Sequence, residues 1–482
     1  EDVMTLEPDH VGALALLGEV YIAQERFAEA ADALARLARH EGAPPKQRLM
    51  SGVAAVDLYE NRLADAATAL SVLADLHRHG LSTLAVRERM ARVAAKAQSW
   101  NEAVQVLELL MLEREQRAGK VEAARLALVI HRDRRQRPAD ALGAAKAILK
   151  ELPSDGEAID LLISGALPVK SVEPLLPGLQ QALVDRLQRD PLDPEQIDRL
   201  SRVAIYGANL PLRQATLGAL VAIGAGNVAI DEELAALDGR IQSIPSMSLD
   251  PATFPDIIDP GDGGAMARFF QELAEGLVEA VGPNLEGLGV TKKQRVDARS
   301  GHPLRTEVGS WAGALGLGDF ELYVGGPEPK GLVALPTSPV AVVIGAEVTL
   351  PLKPWYRQRL ARELFAAARG TSLLRHRDSG DAAALVVAAC KLAGTPVDAP
   401  PYALVAEFER MLSKDLGRKW RKALPELAAG IANEGVSPAT WVEAAVGSLD
   451  RVAALAAGDA SLVLADDPTL RGRPSSTQQA QR

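Results

Sequence analysis

The sequence has one cysteine, Cys390, in 482 residues. No internal disulfide can form, and a cysteine-rich zinc site is excluded. This fits a reducing compartment, and a cytoplasmic location is expected. Aromatic residues make up only 4% of the chain, which argues against a β-sandwich built on large rings. Basic residues are outnumbered, and the net charge is −10. A chain that tracks a nucleic-acid backbone carries the opposite sign, so no nucleic-acid partner is expected. Long apolar runs are also missing. The most apolar stretch, 331–352, is broken by Pro336, Pro339, Glu347 and Pro351, so no membrane span is expected. No Gly-x-Ser-x-Gly elbow occurs. The chain opens on Glu1-Asp2-Val3, inside what reads as the lead-in to a repeat. The native N-terminus is expected to lie upstream, where a signal peptide or anchor would sit.

What is present is alanine and leucine at helical spacing, with 48% of residues hydrophobic, enough for a core in two or three domains. Leu14, Leu17, Gly18 and Tyr21 are followed by Phe27, Ala30 and Leu34. Large residues recur on the facing sides of two helices, and small ones stand where the helices cross. Leu63 with Ala66, Trp100 with Ala103, and Pro138 with Ala141 echo Phe27 with Ala30. Ala54 and Ala91 are expected to take the place of Gly18 in later units. One hairpin cannot bury such a face alone, so neighbours must stack on it. The Leu-x-x-Leu-Gly-x-x-Tyr signature resembles the tetratricopeptide repeat. That resemblance implies a partner-binding groove of first-helix residues, here Glu19, Ile22, Tyr59, Glu88, Arg92 and Lys96, with other proteins or peptides as partners. A merely solvated face accounts equally for Glu88, Arg92 and Lys96.

Ser154 with Glu157 and Asp193-Pro194 are helix-start signals. The repeats are placed at 1–168, with an irregular helical solenoid continuing over 169–240. Proline and glycine turns mark 241–264 as a linker. Its glycine cluster precedes a helix and could cradle a phosphate, but no strand precedes it and no lysine follows, so a plain linker is favoured.

After the linker the pattern changes. A helix is expected over 266–281, strands over 320–324, 331–335 and 340–344, and a helix over 355–369. Leu315-Gly316 or Leu317-Gly318, the strand ending Tyr323-Val324, two further strands and then a helix resemble, over roughly 265–400, the catalytic core of gluzincin metallopeptidases of the CAAX-prenyl-protease and heat-shock group. In those enzymes the helix carries His-Glu-x-x-His, whose two histidines bind zinc while the glutamate activates water. Here the helix reads Leu360-Ala361-Arg362-Glu363-Leu364-Phe365-Ala366. Arg362 and Ala366 stand at the ligand positions and neither can ligate a cation. Only Glu363 matches, and it is expected to pair with Arg359. A third ligand is expected near 377–384, where only Asp378 and Asp381 occur. The resemblance therefore implies a domain over 265–466 with no metal, no cofactor and no catalytic residue, followed by a disordered tail over 467–482.

The fold class expected is mostly α: a tetratricopeptide-like solenoid, then a smaller α+β domain resembling a degenerate zinc metallopeptidase core. The expected function is a non-catalytic interaction scaffold. An active zinc peptidase with unrecognised ligands, and an anion- or nucleic-acid-binding module using the arginine-rich segment 355–377, are the alternatives. Cys390 lies in an apolar helix and is expected to be buried rather than nucleophilic. His77 and His79, two apart on a helix, do not share a face and make a poor metal site.

Overall fold

The structure is a computed structural model that describes residues 7, 9–165, 167–242, 244–245, 248–249, 254–282, 284–375 and 377–466. The expected tail over 467–482 and part of the linker over 241–264 lie outside them. The chain divides into two compact units between Gln188 and Arg189. The segment expected as one solenoid continuation, 169–240, is thus shared between the two.

The first unit is a run of helical hairpins. Helices α1 (Val11–Ala23), α3 (Pro45–Asn61), α5 (Leu84–Lys96) and α7 (Arg117–Val129) alternate with α2 (Phe27–Arg39), α4 (Ala66–Arg78), α6 (Trp100–Glu113) and α8 (Leu142–Glu151). Helices α9 (Gly156–Leu162), α10 (Val169–Val172) and α11 (Leu176–Leu187) follow. The eighth residue of each first helix is small and buried: Gly18, Gly52, Ala91 and Ala124. The fourth residue of α2, α4 and α6 is Ala30, Ala69 or Ala103, and the fourth of the 3-10 turn Pro138–Ala141 that leads into α8 is Ala141; each is 0% exposed. A Cβ on Gly18 would lie 2.7 Å from a Leu34 methyl carbon, and one on Gly52 equally close to Leu76. Such contacts set how near the paired helices approach.

This corrects the register of the second repeat. Gly52, not Ala54, matches Gly18, and Ala66 with Ala69, not Leu63 with Ala66, matches Phe27 with Ala30. The cause is α3, which has 17 residues against 13 in α1, α5 and α7. One extra helical turn displaces the hairpin corner.

Each corner places a non-glycine residue in the left-handed region: Glu25, Ala64, Gln98 and Gln136. In the first and third hairpins the next amide donates back to a carbonyl five residues earlier, Arg26 to Tyr21 and Ser99 to Ala94, at 2.8 and 2.9 Å. That closes the first helix in the Schellman manner. Further on, α9 is capped by Asp155, whose carboxylate accepts from the Ala158 amide, rather than by Ser154. Helix α7 runs into a single π-turn, Ile130–Arg134. There His131 is buried, and its Nδ1 accepts from the Arg135 guanidinium at 3.0 Å.

The second unit opens with α12 (Pro194–Tyr206), α13 (Leu210–Ala222) and α14 (Val228–Leu237). Asp193 caps α12 as expected. Ala208 repeats the left-handed corner, with Asn209 donating to Ala204. After α15 (Phe254–Ile257) come α16 (Gly264–Val281), β1 (Arg295–Val296), α17 (Pro303–Ala314), β2 (Phe320–Val324), β3 (Leu332–Leu335), β4 (Val340–Ile344) and α18 (Pro354–Ala368). Helices α19 (Ser379–Leu392), α20 (Val405–Asp415), α21 (Arg418–Glu434), α22 (Pro438–Ala457) and α23 (Ala460–Asp466) complete it. The sheet order is β1-β2-β4-β3, with β2 parallel to β4 and both edge strands antiparallel to their neighbours.

Two main cores form. Phe269, Phe270, Leu385, Leu412 and Trp441 belong to a helical one, where the Trp441 ring stacks on Phe270 at 5.0 Å. Leu322, Val342, Leu360 and Phe365 belong to one between the sheet and α18, joined by Leu449 and Val452 of α22. The helices after Tyr402 divide: α20, α21 and the first half of α22 pack in the helical core, and the second half of α22 reaches the sheet side.

Two outcomes follow. Ala103→Leu forces extra carbons into a closed helix crossing and should lower stability by about 1–3 kcal/mol in urea titration. Burial, then Arg135, lower the His131 pKa from its ordinary 6.5. Its neutral form therefore stabilises the fold above pH 6.5, and that contribution is lost as pH falls through the depressed folded value. Glu108 and Asp140 oppose the shift without reversing it. The stability difference between the wild type and His131→Gln should change between pH 7 and pH 5, favouring the variant at the acid end.

Candidate functional site

The helix read from the sequence against the zinc-binding motif is α18. Its Arg362 is buried and pairs with Asp450 of α22 at 2.6 Å. Glu363 is buried too. Its Oε2 accepts from the Ala334 amide of edge strand β3 at 3.2 Å, and its Oε1 accepts from Arg375 Nε at 3.3 Å. The expected partner, Arg359, lies instead over the Trp355 ring at 4.3 Å. Ala366 is fully enclosed in the sheet-side core. Asp378 caps α19, accepting from the Asp381 amide at 2.7 Å. Among the described residues, no group of three or more His, Cys, Asp or Glu side chains is placed to hold a metal ion.

The arginine run does not form an open basic face. Arg357 donates to the Ala457 carbonyl, Arg369 pairs with Asp262, and Arg377 donates to the Val281 carbonyl while its guanidinium sits over Phe408. Burial lowers the Arg357 pKa against the pull of Asp238 and Glu307. His376 lies outside the described residues. The glycine cluster ahead of α16 is likewise occupied. The Ala265 amide donates to both carboxylate oxygens of Glu434 at 2.8 Å, so a protein carboxylate takes the place an anion would use. Gly264 has φ +72°, and a Cβ there would fall 2.5 Å from Glu434. Cys390 is buried, and burial alone pushes its thiol up to about 11, far from the range of a thiolate nucleophile.

In the first unit a groove of about 1450 Å³ runs between α5 and α7 over the end of α6. Three of the six expected groove residues, Glu88, Arg92 and Lys96, line it. Glu19 and Ile22 are exposed on α1 and do not, and Tyr59 is half-buried. Burial, then the charge of Asp32, raise the Tyr59 pKa, against Arg39.

Most of the groove's charges are held by protein partners. Arg89 bonds Asp57 and Glu60 of α3, and Lys96 also bonds Glu60. Burial pushes the Glu60 carboxyl up, but the bonds from Lys96 and Arg89 outweigh it and hold it below the ordinary range. Arg87 takes Glu113 at 2.6 Å. Arg114 reaches Glu88 at 2.9 Å, Glu122 at 3.4 Å and the Gly119 carbonyl at 2.6 Å. No motif in the sequence marks Arg114, Leu84 or Leu126, which also line the groove.

Glu363→Gln separates a structural role from a chemical one. As a buried acceptor of an amide and a guanidinium, Glu363 should cost about 1–3 kcal/mol of stability when neutralised. A circular dichroism urea titration measures this. An unchanged midpoint would remove the structural role.

The sequence matches no known protein family and no curated protein. Among solved structures, it is similar to a tetratricopeptide repeat protein from Parabacteroides merdae at 13% identity, over 48% of this chain and 84% of that one, with a TM-score of 0.23. So loose a superposition carries no argument, and the repeat character rests on the hairpins themselves.

Proposed function

We propose that this chain is a non-catalytic protein-interaction scaffold. Its first unit is a tetratricopeptide-type array that docks a protein segment in the groove between α5 and α7. Its second unit keeps the element order of a gluzincin peptidase core but performs no zinc chemistry. The observation that carries this reading is the double pairing on α18: Arg362 with Asp450, and Glu363 with Arg375 and the Ala334 amide. A glutamate engaged by an arginine and a backbone amide is a packing element, and an arginine at a ligand position repels a cation.

Purified full-length chain, equilibrated with one equivalent of zinc and dialysed, should retain far less than one zinc per chain and leave unfolded casein intact. Stoichiometric zinc with chelator-sensitive cleavage would overturn the non-catalytic reading. For the docking role, a photo-crosslinking residue at Ala95 should trap protein partners that the same residue at the exposed Met50 does not. Equal trapping at both positions would remove the groove from the function.

A further inference from the structure

His131 belongs to the π-turn Ile130–Arg134 that ends α7, and its ring is buried. Such turns are rare inside helices and concentrate at functional sites. The two ring nitrogens face opposite charges. Nδ1 lies 3.0 Å from Nη1 of Arg135, and Nε2 lies 3.9 Å from Oε1 of Glu108 on α6. Arginine only donates, so Nδ1 presents its lone pair and the neutral ring carries its proton on Nε2.

Arg135 also faces Asp140 at 3.6 Å, in the 3-10 turn that leads into α8. Backbone bonds close the same corner. The Arg135 amide donates to the Ile130 carbonyl at 2.9 Å, and the Arg137 amide to the His131 carbonyl at 2.8 Å. The neutral ring therefore pins the α7–α8 corner through Arg135. The other charges of the π-turn are engaged elsewhere: Arg132 with Asp133 and Glu157, and Arg134 over the Trp100 ring. A second proton, on Nδ1, reverses both ring contacts. The imidazolium has two N–H donors and no lone pair. Arg135 then meets a donor of its own sign at hydrogen-bond distance, and that bond is lost. Glu108 gains a charged partner where it faced a neutral N–H. Its side chain is 56% exposed, so it is free to close on the ring.

We propose that His131 is a proton-operated switch in the first unit: neutral, it holds Arg135 and the α7–α8 corner, and protonated, it releases Arg135 and takes Glu108 of α6. This goes beyond a docking role and does not depend on what the groove between α5 and α7 holds. The corner then opens more readily, because Arg135 no longer ties it to a buried group. Burial and Arg135 hold the ring's pKa below its ordinary 6.5, against Asp140 and Glu108. The change therefore falls on the acid side of that value.

Full chain labelled at the histidine Cε1 carbons tests this by NMR, with His131→Gln identifying the resonance among the seven histidines. The His131 signal should titrate below pH 6.5. Arg135→Leu should raise its midpoint, and Glu108→Gln should lower it. Hydrogen exchange read by mass spectrometry follows the corner itself in the wild type. Protection over 130–141, corrected for the intrinsic pH dependence of exchange, should fall about tenfold or more as the signal titrates. In His131→Gln it should stay level, because the glutamine Oε1 accepts from Arg135 at any pH. A midpoint at or above 6.5, a midpoint unmoved by Arg135→Leu, or an equal loss of protection in His131→Gln would overturn the switch.

Discussion

Close approach of helices through small side chains is the constraint from which the first unit follows. Ala30, Ala69 and Ala103 are fully enclosed at matching places in successive second helices, and Ala141 in the 3-10 turn that leads into α8. Gly18, Gly52, Ala91 and Ala124 match them on the first helices. A larger residue at any of these crossings separates two helices and strips contacts from the leucines on either side. Because each hairpin is held this way, its length can vary elsewhere. The extra turn of α3 changes the spacing of corners without disturbing the crossing, since one turn returns the side chains to nearly the same face.

The second unit solves a different problem, the enclosure of cations. Arg357, Arg362, Arg369, Arg375 and Arg377 stand within 21 residues of an acidic chain, and each meets a carbonyl or carboxylate inside the fold. A buried guanidinium without a partner is strongly destabilising, and one with a partner does little more than break even. These pairs therefore specify geometry more than they add stability. Arg362 ties α18 to α22, Glu363 ties α18 to β3 and to the turn carrying Arg375, and Arg369 fixes the segment that leads into α16. Arg362 and Glu363 thus register one helix against three neighbours.

How much of this was legible depended on whether the signal was local. Strands β2, β3 and β4 and helices α16 and α18 stood out because short β-branched runs and helical periodicity are properties of the sequence itself. So did the α12 cap, since Asp193-Pro194 carries its own geometry. The hairpin corners were not legible. Glu25, Ala64, Gln98 and Gln136 take a conformation that normally announces itself with glycine, and with no corner marked, the extra turn of α3 left the second-helix pair of the second repeat set three residues early. The partners of Glu363 were hidden for another reason. Arg359 is its helical neighbour, but Arg375 and the Ala334 amide lie 12 and 29 residues away, and only the fold brings them together. The groove was half legible. Glu88, Arg92 and Lys96 follow from the repeat resemblance, whereas Arg114 sits just past the end of α6 and reaches both walls from a position no repeat pattern singles out.

The pairing within the groove shapes what it can select. An exposed ion pair contributes little to stability, whereas Glu88 with Arg114 and Lys96 with Glu60 each join one exposed and one largely buried side chain. Their larger effect is on a ligand. A wall whose charges are already matched offers a docking segment little electrostatic gain, and breaking a pair to reach one of them costs as much as the new bond returns. Affinity must then come from apolar and small surfaces. Among the described residues, Arg92 and Glu115 line the groove outside its ion pairs, one of each sign. The paired charges around them keep the walls nearly neutral toward whatever lies between them.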